Sequence, residues 1–179
     1  MTFSREWNAL YASGLRKSNG FSHQMILLLH AVVGALEGQR ILELGCGRAA
    51  IAQHLMAEGA EYYGIDGSEV AIAEAMGVNG AILYRGDFTK EQPFQGEFDV
   101  VIDRASIAHN DTKSIADCIN LVWQSLKPGG IFISVDWFST NHSEFRRGDV
   151  VDECTRTNYP DGQFMGAGKV HFSTEAELT

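Results

Sequence analysis

The chain has 179 residues, 45% of them hydrophobic and 21% charged, which is the composition of one soluble domain with a sizeable core and excludes a disordered polypeptide. Fourteen Lys and Arg stand against 23 Asp and Glu, a formal net charge of −9. Such a surface repels phosphate backbones, no basic run offsets it, and nucleic acid is not an expected partner.

In chain order, residues 4–12 and 22–36 read as two leading helices joined near Asn19 and Gly20. The stretch from Met25 to Leu36 is strongly apolar and follows Arg16 and Lys17, but it is too short to span a bilayer and reads as a buried helix. No membrane association is expected. Gly38 stops that helix, and residues 40–44 read as a short buried strand leading into the tight turn Gly45-Cys46-Gly47. Ile51, Leu55 and Met56 then fall at helical spacing. Residues 61–65 form a second strand ending at Asp66, and Ser68 is placed to cap a helix running to about Met76. Residues 81–84 and 98–102 are a third and a fourth strand. Asp111 or Thr112 can cap a helix whose Ile115, Ile119, Val122 and Leu126 share one stripe. Lys127-Pro128-Gly129-Gly130 ends that helix, and residues 131–135 are the fifth strand. Apolar strands alternating with helices predict an α/β fold: a doubly wound, mainly parallel sheet with helices on both faces.

In such a sheet ligands bind beyond the carboxyl ends of the strands, where the strand order reverses. The first strand leads there into Glu43-Leu-Gly-Cys-Gly-Arg-Ala49. Glycines at 45 and 47 keep side chains away from an approaching ligand, and the amides that open the next helix are expected to face it. Asp66 follows Gly47 by 19 positions, where a carboxylate can accept hydrogen bonds from both hydroxyls of a ribose. Gly45, Gly47 and Ala50 also satisfy the relaxed dinucleotide fingerprint, so an NAD(P)-dependent oxidoreductase is the rival reading.

Taken together, residues 38–136 resemble the class I S-adenosylmethionine-dependent methyltransferase domain. Glu43 to Ala49 is similar to that family's first motif, Gly64-Ile65-Asp66 to its ribose-holding segment, and Phe98 to Asp103 to its fourth motif. Gly86-Asp87-Phe88 resembles the segment that holds the adenine, with Asp87 reaching the exocyclic amine and Phe88 near the ring. Leu126 to Gly130 resembles the turn before strand five. Ala49 departs from the pattern, since the family often has a third glycine there. The resemblance implies S-adenosylmethionine as cofactor, held by Glu43, Gly45, Cys46, Gly47, Asp66, Gly67, Gly86, Asp87, Phe88, Asp103 and Tyr11. It also implies a domain divided into cap helices (1–37), a cofactor-binding core (38–136) and a substrate-side segment (137–179). Two leading helices and the Gly86-Asp87-Phe88 and Lys127 to Gly130 signals set it apart from the nicotinamide reading.

Methyl transfer from a sulfonium is an in-line displacement, so the protein must align the nucleophile, exclude water and, where needed, remove a proton. His109, after strand four, is the candidate general base, against the alternative of a loop histidine with a satisfied hydrogen bond. Asp103 is a candidate for the cofactor's amino group or the substrate, against a capping role or an ion pair with Arg104. The sequence lacks the Asn/Asp-Pro-Pro-Tyr/Phe signature of base and glutamine methylation, and no cysteine follows a proline. With the acidic charge this favours a small-molecule acceptor. Trp137, Phe138, His142, Phe145, Arg146 and Arg147 stand where the class often builds its substrate lid, or they are plain packing. Near the N-terminus Trp7 and Tyr11 share a helix face, and the Tyr11 hydroxyl can bond the carboxylate of the methionine part. A protein that binds the cofactor without catalysis is the remaining alternative. Cys46, Cys118 and Cys154 have no paired or zinc-ligand spacing, which points to reduced thiols in the cytoplasm and to no metal.

The resemblance implies seven strands, the last two an antiparallel hairpin against strand five. Residues 139–168 are polar and glycine-rich, with no alternating apolar run for that hairpin. Only residues 169–172 read as a short extended piece, before a helix beginning at Glu175 with barely one turn. The chain is therefore expected to be a fragment that lacks a helix and the two strands of that hairpin, leaving strand five as an edge covered by the following loop or by a second copy in a homodimer.

Overall fold

Ile41 and Leu42 are neighbours in sequence and both fully buried, yet they belong to separate cores, because successive strand residues face opposite sides of a sheet. The same alternation sends Val100 and Ile102 to one side and Val101 to the other. The computed structural model describes residues 4–14, 22–94 and 97–178, so the junction expected near Asn19 and Gly20 lies outside the described residues.

The central sheet holds β1 (Arg40–Leu44), β2 (Glu61–Asp66), β3 (Ile82–Arg85), β4 (Phe98–Arg104) and β5 (Leu126–Val135), all parallel, in the order β3-β2-β1-β4-β5. This is the expected Rossmann-like sheet. On one face pack α2 (His23–Val32), through Met25, Ile26 and Leu29, and α3 (Ala52–Ala57), through Ala52 and Leu55. On the other packs α5 (Thr112–Ser125), through Cys118 and Val122, with Ile115 and Ile119 half-buried beside them. α1 (Arg5–Ala12) lies over α4 (Glu69–Ala75), where the Asn8 carboxamide oxygen accepts from the Ser68 hydroxyl and the Val70 amide.

The caps explain the helix starts. The Ser68 hydroxyl accepts from the Ala71 amide at 3.2 Å, and Asp111 Oδ1 accepts from the Ser114 amide at 2.8 Å. Two expectations shift. α2 ends at Val32 and not at Leu36, because Gly34 turns the chain with φ +85°. Lys127 to Gly130 sit within β5 as a bulge: Phe98 pairs with Leu126 and Val100 with Ile131, and Gly129 has φ +81°.

The segment after β5 departs from the sequence reading. It carries β6 (Phe138–Ser139), β7 (Asp149–Val150), β8 (Thr155–Thr157) and β9 (Val170–Ser173), ordered β6-β9-β8-β7 in a small mixed sheet, then α6 (Glu175–Leu178). Only β9 is legible in the sequence as an extended piece. Strands of two to four residues are too short for alternation to register in a polar segment. They do not extend the main sheet, whose edge among the described residues is β5. Tyr159, Phe164, Val170 and Phe172 give this sheet its own apolar cluster, against which Trp7, Phe138 and Phe145 pack. Among the described residues no helix is long and apolar enough to cross a membrane.

Candidate functional site

The order of the central sheet reverses between β1 and β4, whose ends meet where Leu44 pairs with Asp103. Beyond those carboxyl ends lies a cavity of about 550 Å³, open to solvent on one side. A doubly wound fold places its ligand there, and the volume falls in the roughly 300–1,000 Å³ range of small-molecule sites.

The wall nearest the sheet is built by Gly45, Asp66, Gly67, Gly86, Asp87 and Phe88, and Tyr11 reaches it from α1. Asp66 closes β2 and is 8% exposed. Its Oδ2 accepts from the Gly47 amide at 2.9 Å and its Oδ1 from the Ser68 amide at 2.7 Å. Burial raises its pKa, and those two bonds work against the rise. A carboxylate offers about four acceptor positions, so two remain for a diol.

The glycine loop is wired differently from expectation. Three of its amides turn inward: Cys46 donates to the Ile65 carbonyl at 3.1 Å, Gly47 to Asp66, and Ala49 to the Cys46 carbonyl at 2.8 Å. The loop is tied down internally because Asp66 and the end of β2 lie within reach. Gly45, with φ +62°, is required by its neighbours: a Cβ there would come within 2.1 Å of the Ser106 hydroxyl. Ala49 takes φ +51°, which explains why a glycine suits that position.

Three residues expected at the cofactor stand behind the wall. Cys46 is buried beneath Gly64, where an added Cβ would meet its sulfur at 2.7 Å, and burial pushes its thiol well above the ordinary range. Glu43 accepts a short hydrogen bond from the Tyr62 hydroxyl, and burial raises its pKa to about 7. Gly47 lies under Tyr11, whose hydroxyl would be 2.5 Å from an added Cβ. Arg48 crosses the Tyr11 ring 4.9 Å from its centre.

Asp103, 1% exposed, is also behind the wall. Its Oδ1 accepts from the Ser106 and Ile107 amides, both at 3.0 Å, and its Oδ2 from the Ser134 hydroxyl at 2.7 Å. It thereby caps the 3₁₀ turn Ile107–His109, while Arg104 pairs with Asp136 at 3.8 Å. Asp87 spends its oxygens on Thr89 and Lys90. Burial pushes its pKa up, but those bonds outweigh it and the carboxyl stays below its usual value.

The outer wall is aromatic. His109 lines it, edge-on to Trp7 at 4.7 Å and to Phe138 at 5.9 Å, with Phe164 beyond. His109 Nδ1 lies 3.0 Å from the Lys169 carbonyl oxygen. A carbonyl only accepts, so Nδ1 carries the proton and the neutral ring keeps its lone pair on Nε2. Of the expected lid residues only Phe138 lines the cavity. The Trp137 indole donates to Ser134, Phe145 packs against the apolar cluster of the small sheet, and Arg147 pairs with Glu144 at 2.9 Å and with Asp161. Sequence reasoning missed Ala105, held at φ +58°, and Ser106, Thr157, Gln163, Phe164 and Lys169. The last four come from the second sheet and its loops, where the sequence signalled only the extended piece at 169–172 and no role in a site.

A doubly wound sheet with a cavity at its switch point defines the Rossmann-like class of ligand-binding folds. Within it, residues 36–175 match the family described as a methyltransferase domain, and the chain belongs to the class I S-adenosylmethionine-dependent methyltransferases. An uncharacterised methyltransferase of Synechocystis sp. is 35% identical over 101 residues, covering 55% of this chain and 47% of that protein. A ubiquinone biosynthesis O-methyltransferase of Alkalilimnicola ehrlichii is 33% identical over 106 residues, covering 55% of this chain and 41% of that one. The chain thus spans less than half the length of these relatives. Among solved structures, the DhpI–SAM–HEP complex shares the fold with a TM-score of 0.65 at 22% identity, over 99% of this chain and 86% of that one. The CcbJ methyltransferase of Streptomyces caelestis does so with a TM-score of 0.67 at 18% identity, over 99% and 84%.

Proposed function

We propose that this chain binds S-adenosylmethionine against the inner wall of the cavity and directs its methyl group to a small-molecule acceptor at the aromatic outer wall. One observation carries the reading: a single cavity is bounded on one side by Tyr11, Gly45, Asp66, Gly86 and Phe88, and on the other by Trp7, His109, Phe138 and Phe164. The residues fit the cofactor. Asp66 has spare acceptor positions that would take the ribose hydroxyls, the Phe88 ring would flank the adenine, and the Tyr11 hydroxyl would donate to the methionine carboxylate. Bound there, the sulfonium supplies an electrophilic methyl group and a neutral thioether leaving group.

The chain's own residues then do three things. Trp7, Phe138 and Phe164 exclude water and present flat apolar surface to the acceptor. His109 Nε2 takes the acceptor's proton, with Nδ1 fixed by the Lys169 carbonyl. Asp103, through the Ser106 and Ile107 amides, holds the turn that aims His109. The buried Cys46 and Cys118 thiols, which form no disulfide, support a reducing, cytoplasmic setting. The relatives named for ubiquinone biosynthesis and the ligand-bound DhpI complex support a small acceptor and this cofactor.

Calorimetry with S-adenosylhomocysteine and with NADH, followed by a methyl-transfer assay on a metabolite panel, tests the proposal. Binding of the first alone and turnover on at least one acceptor are expected. Binding without any turnover would leave a cofactor-binding protein instead, and NADH binding would overturn the reading.

A further inference from the structure

His30 on α2, and His54 and Glu58 at α3 and its C-terminal cap, line no part of the cavity. Their ligating atoms all lie within 4.8 Å of one another. His54 Nε2 and His30 Nε2 lie 2.9 Å and 3.3 Å from one and the same oxygen, Glu58 Oε1. A tetrahedral ion with bonds of about 2.0–2.1 Å to nitrogen and oxygen sets its donors roughly 3.3 Å apart, so both separations are within a few tenths of an ångström of that geometry.

The orientation of His30 gives a second, independent sign. Its Nδ1 lies 3.3 Å from the Gly34 carbonyl oxygen. That oxygen only accepts, so Nδ1 carries the proton and the lone pair of the neutral ring sits on Nε2, aimed at the Glu58 carboxylate. A lone pair facing a carboxylate oxygen is repulsive unless a positive charge, either a metal ion or the second proton of an imidazolium, lies between them. An imidazole with its outer nitrogen pinned to a backbone carbonyl is also how metal-holding histidines are oriented. His54 and Glu58 are four residues apart and share one face of α3, while His30 closes the group from α2. All three side chains are part-exposed, which leaves a fourth position for water. The net charge of −9 favours a cation.

We propose that His30, His54 and Glu58 bind one divalent transition-metal ion of the zinc class and so clip the leading helix α2 to α3. Two nitrogens and one carboxylate oxygen suit such an ion, whereas calcium and magnesium prefer oxygen alone.

Zinc, titrated into the chelator-stripped chain against a chromophoric competitor, is expected to bind with one-to-one stoichiometry. His30→Ala, His54→Ala and Glu58→Gln should each weaken that affinity by at least about tenfold, the smaller end of what disturbing a metal's surroundings costs. His23→Ala, on the same helix, should leave it unchanged. Zinc should raise the melting temperature of the parent chain and not of the three variants, whose metal-free melting shows that they fold. Absence of binding in the parent chain, equal affinity in all three variants, or an equal loss in His23→Ala would overturn the proposal.

Discussion

Asp66 joins the end of β2 to the glycine loop and to the cap of α4 through one carboxylate, so replacing it with alanine would disturb loop and ligand together. Asp66→Asn separates the two. One oxygen still accepts an amide, but the charge and one acceptor are gone. S-adenosylhomocysteine should bind more weakly by roughly 1.5–3 kcal/mol, the range for hydrogen bonds to charged groups. Unchanged affinity in a calorimetric titration would remove Asp66 from the site. His109 is read by a different split. A general base is worth about 10²–10⁴-fold in rate. His109→Ala should therefore lower kcat by roughly 10²-fold or more, with little change in S-adenosylhomocysteine affinity. A fall in that affinity with kcat intact would make His109 a packing partner of Trp7 instead.

At the level of elements, the sequence is readable wherever burial and capping chemistry coincide. β1, β2 and β4 are mainly apolar on both faces because helices cover both sides of the sheet, and Ser68 and Asp111 announce their helices with the oxygen that caps them. Asp66 follows from its place at the end of β2, and Phe88 from the resemblance of Gly86-Asp87-Phe88 to the family's adenine-holding segment. The outer wall does not show, since Thr157, Phe164 and Lys169 join His109 around the cavity only because two-residue pairings order the second sheet and its loops. Asp111 connects the two regions. It caps α5, and its other oxygen pairs with Lys169, whose carbonyl holds His109. Asp111→Ala should cost roughly 0.5–2 kcal/mol of stability, as lost N-caps do, measured by urea denaturation. It should also lower kcat by loosening Lys169, an effect that Asp111→Ser, which restores the cap alone, should not reverse. Full recovery of activity in Asp111→Ser would confine Asp111 to the helix.

For the whole molecule, acidic groups act on stability in opposite directions. Asp111, in spite of partial burial, is held at about 2 by Lys169 and the Ser114 amide, and Asp87, Asp99 and Asp152 are also held below their usual values. Each stabilises the fold when ionised, and that contribution is lost as the pH falls below about 4. Glu43 and Asp103 behave the other way. Burial raises them to about 7 and about 6, against the hydrogen bonds from Tyr62 and Ser134, so the folded chain holds their protons more tightly than the unfolded chain does. Their contribution is complete below the unfolded values near 4 and is lost as the pH rises through 6 to 7. Stability should therefore peak near pH 5, below the neutral optimum common among proteins. Glu43→Gln isolates the upper limb, because the carboxamide oxygen it introduces can still accept from the Tyr62 hydroxyl. The variant should match the parent chain near pH 4.5 and exceed it at pH 8. The ceiling on that gain is about 3 kcal/mol, and the solvent that still reaches Glu43 lowers it. Urea denaturation of both proteins across this range checks it, and a difference that stays constant with pH would show that Glu43 ionises as freely in the folded chain as in the unfolded one.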